Sequence, residues 1–191
     1  MAIKFSKNEI LEMIENAKFD IRSFYKQDFV NYAGKTKDSK EYYTEIIAEW
    51  LLSHVDLFNK IKLINREGSY RIESHDGKII NQESNRAEEK IAMKLFDYSQ
   101  NKGEIFDKFG KIIDYQTPLK NIQTDDAGKI DLLAYNEDTD TLRILELKKS
   151  DSKETMLKCL LEVYTYLKIV NKVKLLKDFG LPKDTIVKAS P

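Results

Sequence analysis

Only one cysteine, Cys159, occurs among the 191 residues, so no disulfide framework and no cysteine-built zinc site can form within the chain. Histidine is nearly as scarce. The two present, His54 and His75, leave little room for imidazole-based metal chemistry. No run approaches 18 apolar residues, and the opening MAIKFSKNE lacks the apolar centre of a signal segment, which together give the expectation of a cytoplasmic protein with no membrane partner. There is no Gly-rich phosphate loop and no G-x-S-x-G, so a small-molecule enzyme has little support. Net charge is absent too: Lys+Arg and Asp+Glu balance at 32 each. Bulk charge therefore selects no partner, and binding of nucleic acid would need a local basic patch. Internal repeats and low-complexity tracts are lacking as well.

What is present is a composition 41% apolar and 34% charged, enough for one core, or one core with a helical appendage. The charge is uneven along the chain, with a net of −4 over residues 111–140 and +4 over residues 141–180. Ser6-x-x-Glu9 forms a capping box, and Ile10, Ile14, Ala17, Ile21 and Phe24 follow at helical spacing, which predicts one long helix to about Lys26. After a polar loop, Asp38-x-x-Glu41 opens a second predicted helix, with Tyr43, Ile47, Trp50, Leu51, His54 and Phe58 along one face. His54 in that stripe reads as a packed, hydrogen-bonded histidine. A small hairpin is expected over Ser69–Ile80 around His75-Asp76-Gly77, with His75 solvated.

The next predicted helix is Asn81–Gln100. On its wheel Ile91, Ala92 and Leu95 fall within about 60° of Glu88, which sets a carboxylate in an apolar stripe. Glu88 is either a functional acid or the reciprocal partner of an Asn85 capping box. A strand is expected at Lys111–Leu119. Another helix, capped at Asp151 or Ser152, is expected to run to about Lys172 with Met156, Leu160, Val163, Tyr164, Leu167 and Val170 inward. Its opposite face carries Glu154, Lys158, Glu162 and Thr165, read as solvent-facing ion pairs or, if placed near the acidic hairpin described next, as substrate contacts. Asp184–Ala189 has the character of a short edge strand.

The most informative stretch is Gly128–Lys149, GKIDLLAYNEDTDTLRILELKK. Lys129–Tyr135 and Thr141–Lys149 read as strands joined by a polar turn. A register symmetric about Asp138-Thr139 sets Leu132 opposite Leu145, Leu133 opposite Ile144, Ala134 opposite Arg143 and Asp131 opposite Glu146. Directly opposed residues lie roughly 5 Å apart at Cβ, and like charges there repel. Lys148 follows on the same face. The bland alternative is a lysine-protected edge strand with solvated carboxylates. Apolar alternation on both faces argues for a central hairpin, where stray charges are costly, and a divalent cation held by oxygen ligands would relieve the repulsion.

Helix with Glu88, strand, strand with Asp131, strand with Glu146-x-Lys148, helix, strand: this order resembles the PD-(D/E)xK nuclease superfamily. The resemblance covers residues 81–191 and leaves residues 1–80 as a mostly helical N-terminal segment. It implies an α/β (α+β) fold, a restriction-endonuclease-like αβββαβ core with an N-terminal helical extension. It also implies a metal-dependent nuclease: Asp131, Glu146 and Lys148 catalytic, and Glu88, Asp131 and Glu146 binding Mg²⁺ or Mn²⁺. Lys148 would orient the attacking water or stabilise the developing charge. Lys149, Lys153 and Lys158 would contact backbone phosphates, of DNA more than RNA. Ile130 departs from the superfamily's proline, and Glu162-x-x-x-Tyr166 stands where some branches carry Gln-x-x-x-Tyr. The N-terminal helices would hold target recognition or homo-oligomer contacts. The competing reading is a catalytically silent nuclease-fold module that binds nucleic acid or protein.

Overall fold

The computed structural model describes residues 4–78, 86–121 and 127–191. Among them the chain forms helices α1 (Lys7–Ala17), α2 (Tyr43–Ser53), α3 (Ala87–Lys102), α4 (Met156–Ile169) and α5 (Lys172–Asp178), with strands β1 (Lys111–Pro118), β2 (Lys129–Asn136), β3 (Thr141–Leu145) and β4 (Ile186–Ser190). The four strands make one mixed sheet in the order β1-β2-β3-β4, antiparallel except for the parallel β3–β4 pair. The fold is therefore mixed α and β.

The turn chemistry sets the hairpin. Asn136 Oδ1 accepts from Thr139 N–H, Asp140 takes a left-handed φ of 42°, and Asn136 pairs with Thr141. That places Leu132 opposite Leu145, Leu133 opposite Ile144 and Ala134 opposite Arg143, the expected register. Asp140 also anchors the last strand: its carboxylate accepts from Tyr135 and Thr185 hydroxyls, and its carbonyl from Ile186 N–H.

Each face of the sheet is covered, which is why both parities of β2 are apolar. On one face α3 contributes Ala92 and Phe96 against Ile112, Tyr115, Leu132, Ala134 and Leu145. The other buries Leu133 and Ile144 in a larger cluster that runs from α4 to Ile10, Phe24 and Ile47 of the N-terminal segment.

Several expectations are corrected. The first helix stops at Ala17 and continues as a 3-10 turn, Lys18–Lys26, interrupted at Asp20 (φ −120°, ψ 71°). The second helix starts at Tyr43, not after Asp38: Glu45 reaches back to Tyr42 N–H, while Asp38 and Glu41 bind the backbone and ammonium of Lys7. His54 is hydrogen-bonded to Trp50 O and stacked on its indole, yet exposed. Residues 69–78 form no hairpin strand, and residues 79–85, with the Asn85 capping box, lie outside the described residues. His75 is not solvated, since its Nδ1 meets the buried Asp114 carboxylate at 2.6 Å and its ring stacks on Tyr115. Helix α4 is rotated from the expected face. Cys159, Val163, Thr165 and Tyr166 are buried while Met156 and Leu160 are exposed, because Thr155 caps the helix and ties it to Asn31 and Val30.

Gly110 turns the chain into β1 at φ +84°, with its Cα facing the Tyr135 carbonyl and Asn136 backbone. A side chain there would meet fixed backbone in a conformation L residues avoid. Gly110→Ala is expected to lower stability by about 3 kcal/mol in urea unfolding; an unchanged midpoint would contradict this packing.

Candidate active site

The ladder between β2 and β3 ends at Leu132 and Leu145, so the expected Asp131–Glu146 pair falls just past its last rung. Beyond that point the strands part. Glu146 N–H donates to Ser190 O of β4 at 3.2 Å, and Leu147 N–H, left without a partner strand, donates to Asp131 Oδ2 at 2.9 Å. The other Asp131 oxygen accepts from Gln116 Nε2 at 2.9 Å, and Gln116 sits on β1 with a left-handed φ of 49°. Asp131 is thus held by backbone on one side and by an amide on the other. Glu146 is 6% exposed.

Lys148 turns its ammonium to within 2.8 Å of Glu146, 3.1 Å of Glu154 and 3.5 Å of Glu162. Tyr166 on α4 donates its hydroxyl to Glu162 at 2.8 Å, and Lys158 closes a further ion pair onto Glu154. The inward turn of Glu162 corrects the solvent-facing reading of that residue. Glu154 and Lys158 do form the i,i+4 pair, but Glu154 also reaches Lys148. Gly128 lies directly against the Tyr166 hydroxyl, where a Cβ would displace it.

Glu88 enters from the first turn of α3. Its carboxylate accepts from Lys149 N–H at 3.3 Å, and with Asp131, Gln116 and Lys149 it lines a cleft of about 270 Å³. Of the expected phosphate-binding lysines, Lys149 lines this cleft and pairs with Asp151, Lys153 is exposed, and Lys158 is engaged with Glu154.

The electrostatics follow from burial. Desolvation pushes the Asp131 carboxyl up to about 6, against the pull of Leu147 N–H and Lys148. Desolvation also drives Glu146 well above the ordinary carboxylate range, reinforced by Asp131 and Glu162. Burial works against the Lys148 ammonium, yet the surrounding carboxylates outweigh it and hold its pKa raised. Lys148 therefore keeps its charge. Oxygen donors of this kind suit a hard cation, and Mg²⁺ needs only one or two carboxylates alongside its waters. Among the described residues no three His, Cys, Asp or Glu side chains stand close enough to hold an ion as a set; Glu146 is buried, Asp131 half-buried, and Glu88 lines the cleft beside Asp131.

Two members of this site carried no readable signal of their role. Gln116 is one amide in a strand, and Glu154 precedes its helix. Glu162-x-x-x-Tyr166 did carry one, since a carboxylate four residues before a buried tyrosine on a helix places the two side chains one above the other.

A carboxyl whose folded pKa is raised favours the folded state below its unfolded value, and that advantage is lost as pH rises through the folded value. For Asp131 the window runs from about pH 4 to about 6, with on the order of 3 kcal/mol at stake. Asp131→Asn is therefore expected to gain about 3 kcal/mol on wild type between pH 4 and 8 in metal-free urea unfolding. A difference independent of pH would show that Asp131 is solvated.

No family model, curated protein or solved structure matches this chain.

Proposed function

We propose that this chain is a Mg²⁺- or Mn²⁺-dependent nuclease that hydrolyses phosphodiester bonds in DNA, on a restriction-endonuclease-like core. The observation that carries this reading is the placement of Asp131 and Glu146 just past the last rung of the β2–β3 hairpin, with Leu147 N–H on Asp131, Lys148 2.8 Å from Glu146, and Glu88 lining the same cleft as Asp131. The element order α3-β1-β2-β3-α4-α5-β4, with α5 a short addition before the last strand, and the sheet order β1-β2-β3-β4 support the αβββαβ assignment.

Asp131 and Glu146 would hold the ion, with Glu88 lining the cleft beside Asp131. A divalent ion bound there supplies a water of lowered pKa and neutralises charge on the phosphate. The chain does the rest. Leu147 N–H and Gln116 fix the Asp131 carboxylate, so that its orientation is set before substrate arrives. Lys148 remains an ammonium, suited to orienting the attacking water and to stabilising charge on the phosphate oxygens. Glu154 and Glu162 hold that ammonium, and Tyr166 orients Glu162. Lys149 on the cleft wall and the exposed Lys153 are placed for backbone phosphates, contacts that position DNA without reading it.

The test is cleavage of labelled DNA and RNA with Mg²⁺ or Mn²⁺ by wild type, Asp131→Ala and Lys148→Ala. Wild type should cut DNA, and each variant should lose about 10²-fold or more. Equal rates in all three would assign the activity to a contaminant. DNA binding without metal-dependent cleavage would identify a binding module instead.

A further inference from the structure

A second cleft, of about 490 Å³, lies in the N-terminal segment between the 3-10 turn Lys18–Lys26 and the turn Val55–Lys60 with the residues after it. Its walls carry Lys18, Arg22, Lys60 and Lys62 against a single carboxylate, Asp20, and Leu57 and Ile61 give it an apolar floor. In a chain of zero net charge this is a local concentration of cations. Lys18 also pairs with Glu15, whereas Lys60 and Lys62 are exposed and make no ion pair among the described residues. At the rim stands Phe19, 86% exposed.

That ring is turned outward by backbone. Non-helical Asp20 breaks the turn, and its carboxylate accepts from Ser23 N–H at 3.3 Å. Ile21 and Phe24 then point into the core while Phe19 does not. The Lys18 ammonium lies 5.5 Å from the Phe19 centroid. An exposed aromatic ring beside unpaired ammonium groups suits a ligand with a phosphate backbone and accessible base faces. Bases are accessible in this way only when unstacked from a duplex.

We propose that this cleft binds the single-stranded portion of a DNA substrate, with Phe19 stacking on a base and Lys60 and Lys62 contacting phosphates. Both walls are fastened to the helix that completes the candidate active site. The Tyr25 ring meets Tyr166 edge-on at 6.2 Å, Phe58 meets Tyr164 at 5.1 Å, and Lys168 donates to Asn59 at 2.9 Å. Tyr166 in turn holds Glu162, which pairs with Lys148. A strand seated on Phe19 would thus lie in a fixed relation to Lys148. The nuclease reading supplies only the choice of DNA as ligand.

The experiment is fluorescence anisotropy of a labelled oligo-dT, with a duplex and an oligo-U of equal length as comparators. Binding is measured without divalent ions to wild type, Phe19→Ala and Lys60→Glu/Lys62→Glu, with melting temperatures of all three. Phe19→Ala should weaken oligo-dT binding on the order of tenfold at unchanged melting temperature, while duplex binding changes little. The double charge reversal should weaken it further and flatten the salt dependence by about 1.4 in log–log slope. Oligo-dT affinity unaffected by Phe19→Ala and the double variant would overturn the proposal, even if metal-dependent cleavage is found. Tighter binding of oligo-U would overturn the DNA assignment. Loss of binding in these variants, with no cleavage by wild type, would sustain the cleft and remove the nuclease.

Discussion

Two carboxylates share the buried end of a hairpin, and most of what surrounds them answers that one electrostatic problem. The turn at Asn136–Thr141 sets the register that brings Asp131 and Glu146 to the same end of the hairpin, just past its last pair. The lysine two positions after Glu146 supplies one compensating charge. Three carboxylates around that lysine, Glu146, Glu154 and Glu162, then exceed it. The cluster holds more carboxylates than its own cations balance, the imbalance that the proposed divalent ion would offset. It also explains why a site of this kind is not optimised for stability: removing Asp131 would relax the fold at neutral pH while removing the chemistry proposed for it.

The covering elements are placed by the same end of the sheet. Helix α3 delivers Glu88 from its first turn to the cleft beside Asp131, and α4 delivers Glu162 and Tyr166 to Lys148. The N-terminal helices are not appended loosely, since their aromatic residues enter the same apolar cluster as α4. Phe24 stacks with Trp50, and Tyr25 meets Tyr166. Residues far apart in the chain therefore act on the orientation of one helix.

How much of this was legible follows from which interactions are local. The hairpin register from Leu132–Leu145 to Asn136–Thr141 was readable, because turn residues and a period of two are local properties. Strand β1 and most of α3 were readable for the same reason. The face of α4 was not. Its hydrophobic period admits more than one rotation, and the choice is made by Thr155 binding Val30 and Asn31, more than a hundred residues away. His75 illustrates the same limit: in a turn sequence nothing announces Asp114 as its partner, and the pair exists only because the loop folds over β1. The break at Asp20 was hidden by apolar residues that kept helical spacing across it. Glu162 was visible as a residue but not as a partner, since only packing reveals what a helix face meets.

The claim at the centre, that buried acids here exchange protons for a cation, is tested most directly by calorimetric titration of the metal-free protein with Mn²⁺ at pH 6 in buffers of different ionisation enthalpy. Because the ligands must be deprotonated to bind, uptake of one ion should release on the order of one proton, and release should fall as the pH is raised towards 9. Binding with no proton release at either pH, or no binding at millimolar Mn²⁺, would contradict the account.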